Sequence, residues 1–129
     1  MTVLAVAIAT VAAFVVSSVY YALLTPLEQR VLGAAAPDRG KPHPAKALAE
    51  LARTAVLAAV MTWVAGRAGL LGLPEGLGLA AVLWLGFPLI LLTGSMLWER
   101  VPLVTAALHA GDWLLKLLLV AAVLGLVSA

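Results

Sequence analysis

The sequence predicts an all-α fold: an integral membrane, four-helix transmembrane bundle with both termini on the extracytoplasmic side. Hydrophobic residues make up 64% of the 129 residues, and the mean hydropathy is +1.13. A soluble globule of this size buries only part of its chain, so it could not hide so much apolar surface. Charged residues are only 11% and lie in clusters. The expected partner is therefore the lipid bilayer.

Four apolar stretches are long enough to cross the roughly 30 Å hydrocarbon core, which requires about 20 helical residues. The predicted helices cover about residues 3–24, 45–69, 77–98 and 102–127. The segment 25–44 is rich in proline and predicts a loop, in which residues 26–32 could form a helical turn. The whole chain, 1–129, is thus predicted to be a single transmembrane domain.

Lysine and arginine are distributed unequally between the two ends of the predicted bundle. One side holds Arg30, Arg39, Lys41, Lys46, Arg53 and Arg100. The other side holds Arg67 alone. Because short cytoplasmic loops retain positive charge, the bias predicts a cytoplasmic loop 25–44 and a multi-pass protein of the cytoplasmic (bacterial inner) membrane. A net charge of +2 gives no dense basic face, so a nucleic-acid partner is not expected.

Small residues recur on the first and third predicted helices. The sets are Ala5, Ala9, Ala13 and Ser17, and the glycines Gly86 and Gly94. A four-residue spacing of small side chains lets helix backbones approach closely. The alternative is that alanine is common enough in this chain for the first run to arise by chance. Between the two glycines, Pro88 deprives the carbonyl of Trp84 of its donor and predicts a helix kink.

The fourth predicted helix carries its strongly polar side chains on one face. Thr105, His109, Asp112 and Lys116 are spaced four, three and four apart. At 100° per residue they fall within an arc of roughly 60°. Lys116 lies near the middle of the helix, where an isolated charge would cost at least ~2.5–3.5 kcal/mol in a membrane. Asp112 precedes it by one turn in the favoured acid-to-base order, which predicts a pair.

Glu50 and Arg53 enter the second helix from the same side and could complete a neutral buried cluster with this pair and His109. Such a cluster could be structural, fixing the register of the helices. It could also be a proton, ion or substrate site, as buried ionisable groups in membranes often are. A pair that balances its own charge favours the structural alternative.

Several kinds of chemistry find no motif in the chain. The absence of cysteine excludes disulfides and thiolate metal sites. His109 has no second ligand except Asp112, and the nearby Lys116 repels cations, so we expect no metal. A single histidine within the predicted helices is weak support for haem, and no cofactor is expected. No nucleophile elbow, phosphate loop or paired carboxylates occur, so no catalytic residue is assigned. An enzyme acting on a lipid or quinone is therefore only a third alternative.

Short aromatic and glycine motifs run through the chain. They are Tyr20-Tyr21, Leu83-Trp84-Leu85-Gly86-Phe87, Leu97-Trp98-Glu99-Arg100 and His109-Ala110-Gly111. With them the chain resembles an uncharacterised bacterial family of four-helix membrane proteins, domain of unknown function 1761. The resemblance implies the fold and no activity. It also implies an aromatic residue at position 112, so it gives the Asp112–Lys116 pair no role common to the family.

The sequence therefore leads to two hypotheses for function. The first is a small membrane subunit that forms a homo-oligomer or packs against a larger membrane complex, because so small a bundle has little interior of its own. The alternative is a small transporter or proton- or ion-conducting protein. Its site would comprise Glu50, Arg53, His109, Asp112 and Lys116. A water-accessible cavity beside these groups would favour the alternative.

Overall fold

The computed structural model of the protein describes residues 2–41 and 43–127 and has an all-α fold. The helices are α1 (Thr2–Leu32), α2 (Pro44–Ala68), α3 (Leu73–Gly86), α4 (Pro88–Trp98) and α5 (Leu103–Val127), with a short 3₁₀ turn at Gly33–Ala35. Four helical stretches are long and apolar enough to cross a membrane, α3 and α4 forming one of them together. The predicted four-helix architecture is thus confirmed for the described chain.

Helix α1 runs eight residues beyond its predicted end, so the predicted loop 25–44 is corrected to a shorter segment after Leu32. Pro26 deprives only the carbonyl of Ala22 of its donor, and the helix continues through it. The extra turns are held by Glu28, whose side chain is fully buried and bonded to Thr105 of α5. A tertiary contact has therefore extended the helix past a local breaker.

The turn between α2 and α3 is also shorter than predicted. Gly69 ends α2 in the left-handed region at φ 70°, where glycine carries no Cβ penalty. Helix α3 then begins at Leu73, four residues earlier than the predicted start, because Pro74 lies in its first turn, where a missing N–H costs nothing. The predicted loop residues 73–76 therefore belong to α3.

The third span is interrupted at Phe87, whose backbone adopts φ −122° and ψ −77°. The N–H of Phe87 still donates to Leu83 at 3.0 Å, and its carbonyl accepts from Leu91 at 2.9 Å. Pro88 has no N–H, so the carbonyl of Trp84 loses its helical donor at this point. The irregularity is thus limited to a single residue between α3 and α4.

Helix α5 lies at the centre of the bundle and packs against α1, α3 and α4. The core is built from small and aliphatic side chains: Ala5, Ala9 and Ala13 of α1, Ala58 and Met61 of α2, Ala80 of α3, and Leu117, Val120, Ala121 and Leu124 of α5. Helix α2 packs mainly on α1 and makes few contacts with α5. This divergence of α2 from α5 opens the space described below.

Glycines bring the helices together at other positions than expected. A Cβ at Gly86 or Gly94 would meet no atom within 4 Å, so neither glycine serves packing within the described chain. The close approach lies instead between α3 and α5, where a Cβ at Gly125 would sit 2.8 Å from the Cα of Leu73. The reason is topological: α5 packs between α1 and α3, whereas no other helix lies against Gly86 or Gly94.

A candidate ligand-binding cavity between three helices

A cavity of about 590 Å³ lies between α1, α2 and α5. It is found toward the end of the bundle at which α1 ends and α2 begins, which we call the charged end. Its ionisable lining comprises Tyr21, Arg39, His43, Lys46, Glu50, Arg53, His109, Asp112 and Lys116. The cavity exists because α2 diverges from α5 there. Three helices and the loop between α1 and α2 therefore contribute polar groups to one space.

The predicted pair between Asp112 and Lys116 borders this cavity. The Lys116 Nζ lies 2.9 Å from Asp112 Oδ2, and the side chains are only 11% and 4% exposed. The other carboxylate oxygen, Oδ1, accepts a 2.5 Å hydrogen bond from the hydroxyl of Ser17 on α1. Ser17 was expected only as a small packing residue. It instead completes the hydrogen bonding of the buried carboxylate across the helix interface.

The aromatic pair at positions 20 and 21 points into the bundle. The hydroxyl of Tyr21 lies 2.6 Å from Nδ1 of His109, and the hydroxyl of Tyr20 donates to the carbonyl of Leu108 at 2.7 Å. Both contacts join α1 to α5. His109, expected beside the charged pair, therefore has a neutral phenol as its nearest polar partner.

Glu28 is a buried acid in the segment predicted as a loop, and it is absent from the predicted polar cluster. Its Oε2 accepts hydrogen bonds from Thr105 Oγ1 at 2.8 Å and from Arg39 Nη2 at 3.0 Å, and Oε1 binds Arg39 Nη1. The hydrogen bond to Glu28 raises the pKa of the Arg39 guanidinium above its ordinary value, so Arg39 keeps its charge. Thr105, expected in the cluster around Asp112, serves Glu28 instead.

These contacts form a polar ladder of three rungs between α1 and α5. The rungs are Glu28–Thr105, Tyr21–His109 and Ser17–Asp112. They follow one face of α1, whose continuation toward the other end carries Ala13, Ala9 and Ala5, all at most 2% exposed. The interface is therefore polar toward the charged end and apolar beyond it. Side chains that recur about every four residues along α1 supply both the polar and the apolar part of this interface.

Glu50 and Arg53 are not buried, which corrects the expectation that they join a dry cluster. Their side chains are 46% and 66% exposed, and they pair with each other on successive turns of α2. Because α2 stands away from α5, neither reaches Asp112 or Lys116. They lie across the cavity from that pair and form its opposite wall.

The polar groups around the cavity are suited to holding an anionic group. Four basic side chains line it, Arg39, Lys46, Arg53 and Lys116, against the two carboxylates of Glu50 and Asp112. In residues 2–41 and 43–127, no group of three or more histidine or acidic side chains could hold a metal ion. Over the same residues every buried side-chain nitrogen and oxygen has a hydrogen-bond partner. The buried polar groups of the cavity walls are thus hydrogen-bonded within the protein. A ligand would bind to the polar groups that face the open space.

A second cavity of about 430 Å³ lies between the same three helices, α1, α2 and α5, at the opposite end of the bundle. We call the interface of these three helices the seam. Its lining includes Ala5, Thr62, Trp63, Arg67 and Leu124. The apolar core, with Ala9, Ala58, Met61, Leu117 and Val120, lies between these helices. The seam therefore has open volume toward both ends and close packing between them.

A comparison with known families identifies the chain. The family model described as "Protein of unknown function (DUF1761)" matches residues 4–125, which include nearly all of the five helices and every cavity-lining residue. No curated protein and no solved structure matches the chain. The family match covers nearly the entire sequence, and it agrees with the resemblance carried by the aromatic and glycine motifs. The chain belongs to the DUF1761 family of proteins of unknown function.

Proposed function

We propose that the chain is a multi-pass protein of the cytoplasmic membrane that takes a polar solute into the cavity between α1, α2 and α5, as a small transporter does. One observation carries this proposal: the buried Asp112–Lys116 pair borders about 590 Å³ of open space lined by ionisable side chains from three helices. A purely structural cluster would be surrounded by packed side chains, whereas this one faces a cavity.

The outer surface supports a membrane location. Large hydrophobic side chains are exposed on every helix; Val3, Leu91, Leu97 and Trp98 are each more than 70% exposed. Soluble monomers rarely display so continuous an apolar surface, and lipid is the solvent that suits it. The lysines and arginines of the charged end support a cytoplasmic position for that end, with both termini on the other side.

The arrangement of open and closed regions along the seam supports transport. A carrier exposes its site to one side of the membrane at a time. Here the larger cavity lies toward the charged end, a smaller one lies toward the other end, and the core around Ala9, Ala58 and Val120 closes the path between them. Because α2 packs mainly on α1, movement of α2 against α5 is the change that would open the second side.

The proposal requires water in the cavity, and the absence of cysteine makes this simple to test. Ser18 lines the cavity, whereas the neighbouring Val19 is 51% exposed on the apolar surface. We expect Ser18→Cys in membrane vesicles to react with a water-soluble thiol reagent at least tenfold faster than Val19→Cys. Proton uptake by proteoliposomes then tests flux with protons as the probe. If Ser18→Cys reacts no faster than Val19→Cys, the cavity gives its lining no special access to water, and the proposal would fail.

Self-association is a second candidate, supported by a separate observation. Gly86 and Gly94 have no neighbour that a Cβ would touch within the described chain, and small residues on an outer helix surface allow another helix to approach. If a second copy or a larger membrane complex packs there, Gly86→Leu should reduce the mass measured by light scattering in detergent. Ala81→Leu, at another exposed position of α3, is the control. A monomeric wild type would exclude the homo-oligomer.

A further inference from the structure

The lining of the cavity carries an excess of positive charge. Glu28 neutralises Arg39 from behind, Glu50 pairs with Arg53, and Asp112 pairs with Lys116. Lys46, which also lines the cavity, has no carboxylate within ion-pair distance among the described residues. Its Nζ donates only to the backbone carbonyl of Arg39, at 3.2 Å. The positive charge of Lys46 is therefore uncompensated.

An apolar groove adjoins the cavity on its α2–α5 side. It has a volume of about 540 Å³ and shares Glu50, Arg53, Thr54, Trp113 and Lys116 with the cavity. Beyond them the groove is lined by Val56, Leu57 and Val60 of α2. Val56 and Val60 are 62% and 54% exposed, so the groove opens laterally, toward the apolar surface. From Glu50 to Val60 it follows α2 for about 15 Å at 1.5 Å per residue.

The geometry points to an amphiphile with an anionic, phosphate-type headgroup and an acyl chain as the ligand of this site. The headgroup would lie near Lys46 and the exposed Arg53, and the chain would follow the groove past Trp113 toward Val60. Basic depressions between helices at the cytoplasmic side of a membrane are suited to such headgroups. A water-soluble anion would use the same basic groups but would leave the lateral groove without a role. The inference rests on the proposed function, because it names the ligand class of the same cavity.

Quenching of tryptophan fluorescence tests this inference. The protein is placed in phosphatidylcholine nanodiscs that contain either brominated phosphatidylglycerol or brominated phosphatidylcholine. The Trp113 signal is obtained as the difference between the wild type and Trp113→Phe. We expect phosphatidylglycerol to quench Trp113 at a several-fold lower mole fraction than phosphatidylcholine does. Trp98, which is 87% exposed and outside the cavity, should show the smaller preference of a general surface effect.

Matched lysine variants identify the site. Lys46→Gln should reduce the phosphatidylglycerol preference of Trp113 by roughly fivefold, the effect expected for one basic residue near an anionic lipid surface. Lys41→Gln removes the same charge from an exposed position in the loop before α2 that does not line the cavity, and it should leave the preference nearly unchanged. Equal effects of the two variants would overturn the inference, because they would indicate only a general surface potential.

Two further outcomes separate the alternatives. If glycerol phosphate displaces phosphatidylglycerol at an ionic strength matched with sodium chloride, the headgroup alone suffices and the amphiphile is wrong. If Trp113 has no phosphatidylglycerol preference while Ser18→Cys still reacts with the water-soluble reagent, this inference fails and the proposed function stands. If Ser18→Cys is also unreactive, the proposed function fails with it.

Discussion

Replacing Asp112 by alanine leaves the ammonium group of Lys116 without its carboxylate in a site where the lysine side chain is only 11% exposed. Breaking a buried ion pair from one side typically costs about 3–5 kcal/mol, because the remaining charge is uncompensated. The hydrogen bond from Ser17, worth about 1.5–3 kcal/mol when the acceptor is charged, is lost as well. Lys116 borders the cavity and can turn toward water there. We therefore expect a loss of about 3 kcal/mol in the free energy of unfolding.

The double variant Asp112→Leu with Lys116→Leu removes both charges together and should be less damaging than Asp112→Ala alone. Apolar replacement of a complete buried pair is often neutral or stabilising. The residual cost is the hydroxyl of Ser17, which loses its acceptor and can bond to the backbone carbonyl one turn earlier in α1. We expect a net loss of about 1 kcal/mol or less.

Unfolding in mixed micelles at increasing mole fraction of sodium dodecyl sulfate, followed by circular dichroism, measures both free energies. Ser18→Ala, which removes a neighbouring hydroxyl whose only hydrogen bond is to the carbonyl of Phe14, is the control and should change stability little. A double variant less stable than Asp112→Ala would refute the reasoning. So would an Asp112→Ala variant as stable as the wild type, because each group would then reach water independently.

Glu28→Gln should destabilise the protein by about 1.5–3 kcal/mol, because the contacts of the carboxylate join α1 to α5 and to the following loop. Hydrogen exchange should show that residues 26–32 lose protection. Gly125→Ala should lower the free energy of unfolding by about 1–3 kcal/mol and lower the melting temperature, because its Cβ would lie 2.8 Å from the Cα of Leu73. The control is Gly78→Ala, whose Cβ meets nothing within 4 Å, and it should not lower the melting temperature. Cysteines at Ala36 and Leu73 should label from opposite membrane sides with an impermeant reagent. Labelling of both from one side would contradict the predicted topology.

The sequence by itself determined the number and order of the helical spans and the Asp112–Lys116 pair. Apolar length predicts the spans without reference to any neighbour, since an apolar segment of about 20 residues is sufficient in lipid. The spacing of Asp112 and Lys116 likewise predicts a shared face, because the pitch of one helix fixes it. Both features are present in the structure. The family resemblance, carried by short motifs along the chain, was also available at this level and is confirmed.

Only the tertiary structure decided which helix faces meet. Glu28 lies in the loop that Pro26 and the following prolines predict, whereas in the structure it is in α1 and contacts Thr105 and Arg39. The spacing of Ser17 predicts only a small packing residue, whereas the structure places its hydroxyl opposite Asp112. The rotation of each helix about its own axis depends on long-range contacts, which periodicity along one helix does not encode.

The same limit explains the two groups of residues whose placement differs from expectation. Gly86 and Gly94 fit a packing pattern, but the route of α5 leaves them on the outside. Glu50 and Arg53 have the right depth along α2 to meet Lys116, but α2 leans on α1 and stands away from α5. Depth along a helix follows from counting residues, whereas the separation between two helices depends on how all the helices pack. The cavity is a product of that packing, and therefore no stretch of the sequence could have predicted it.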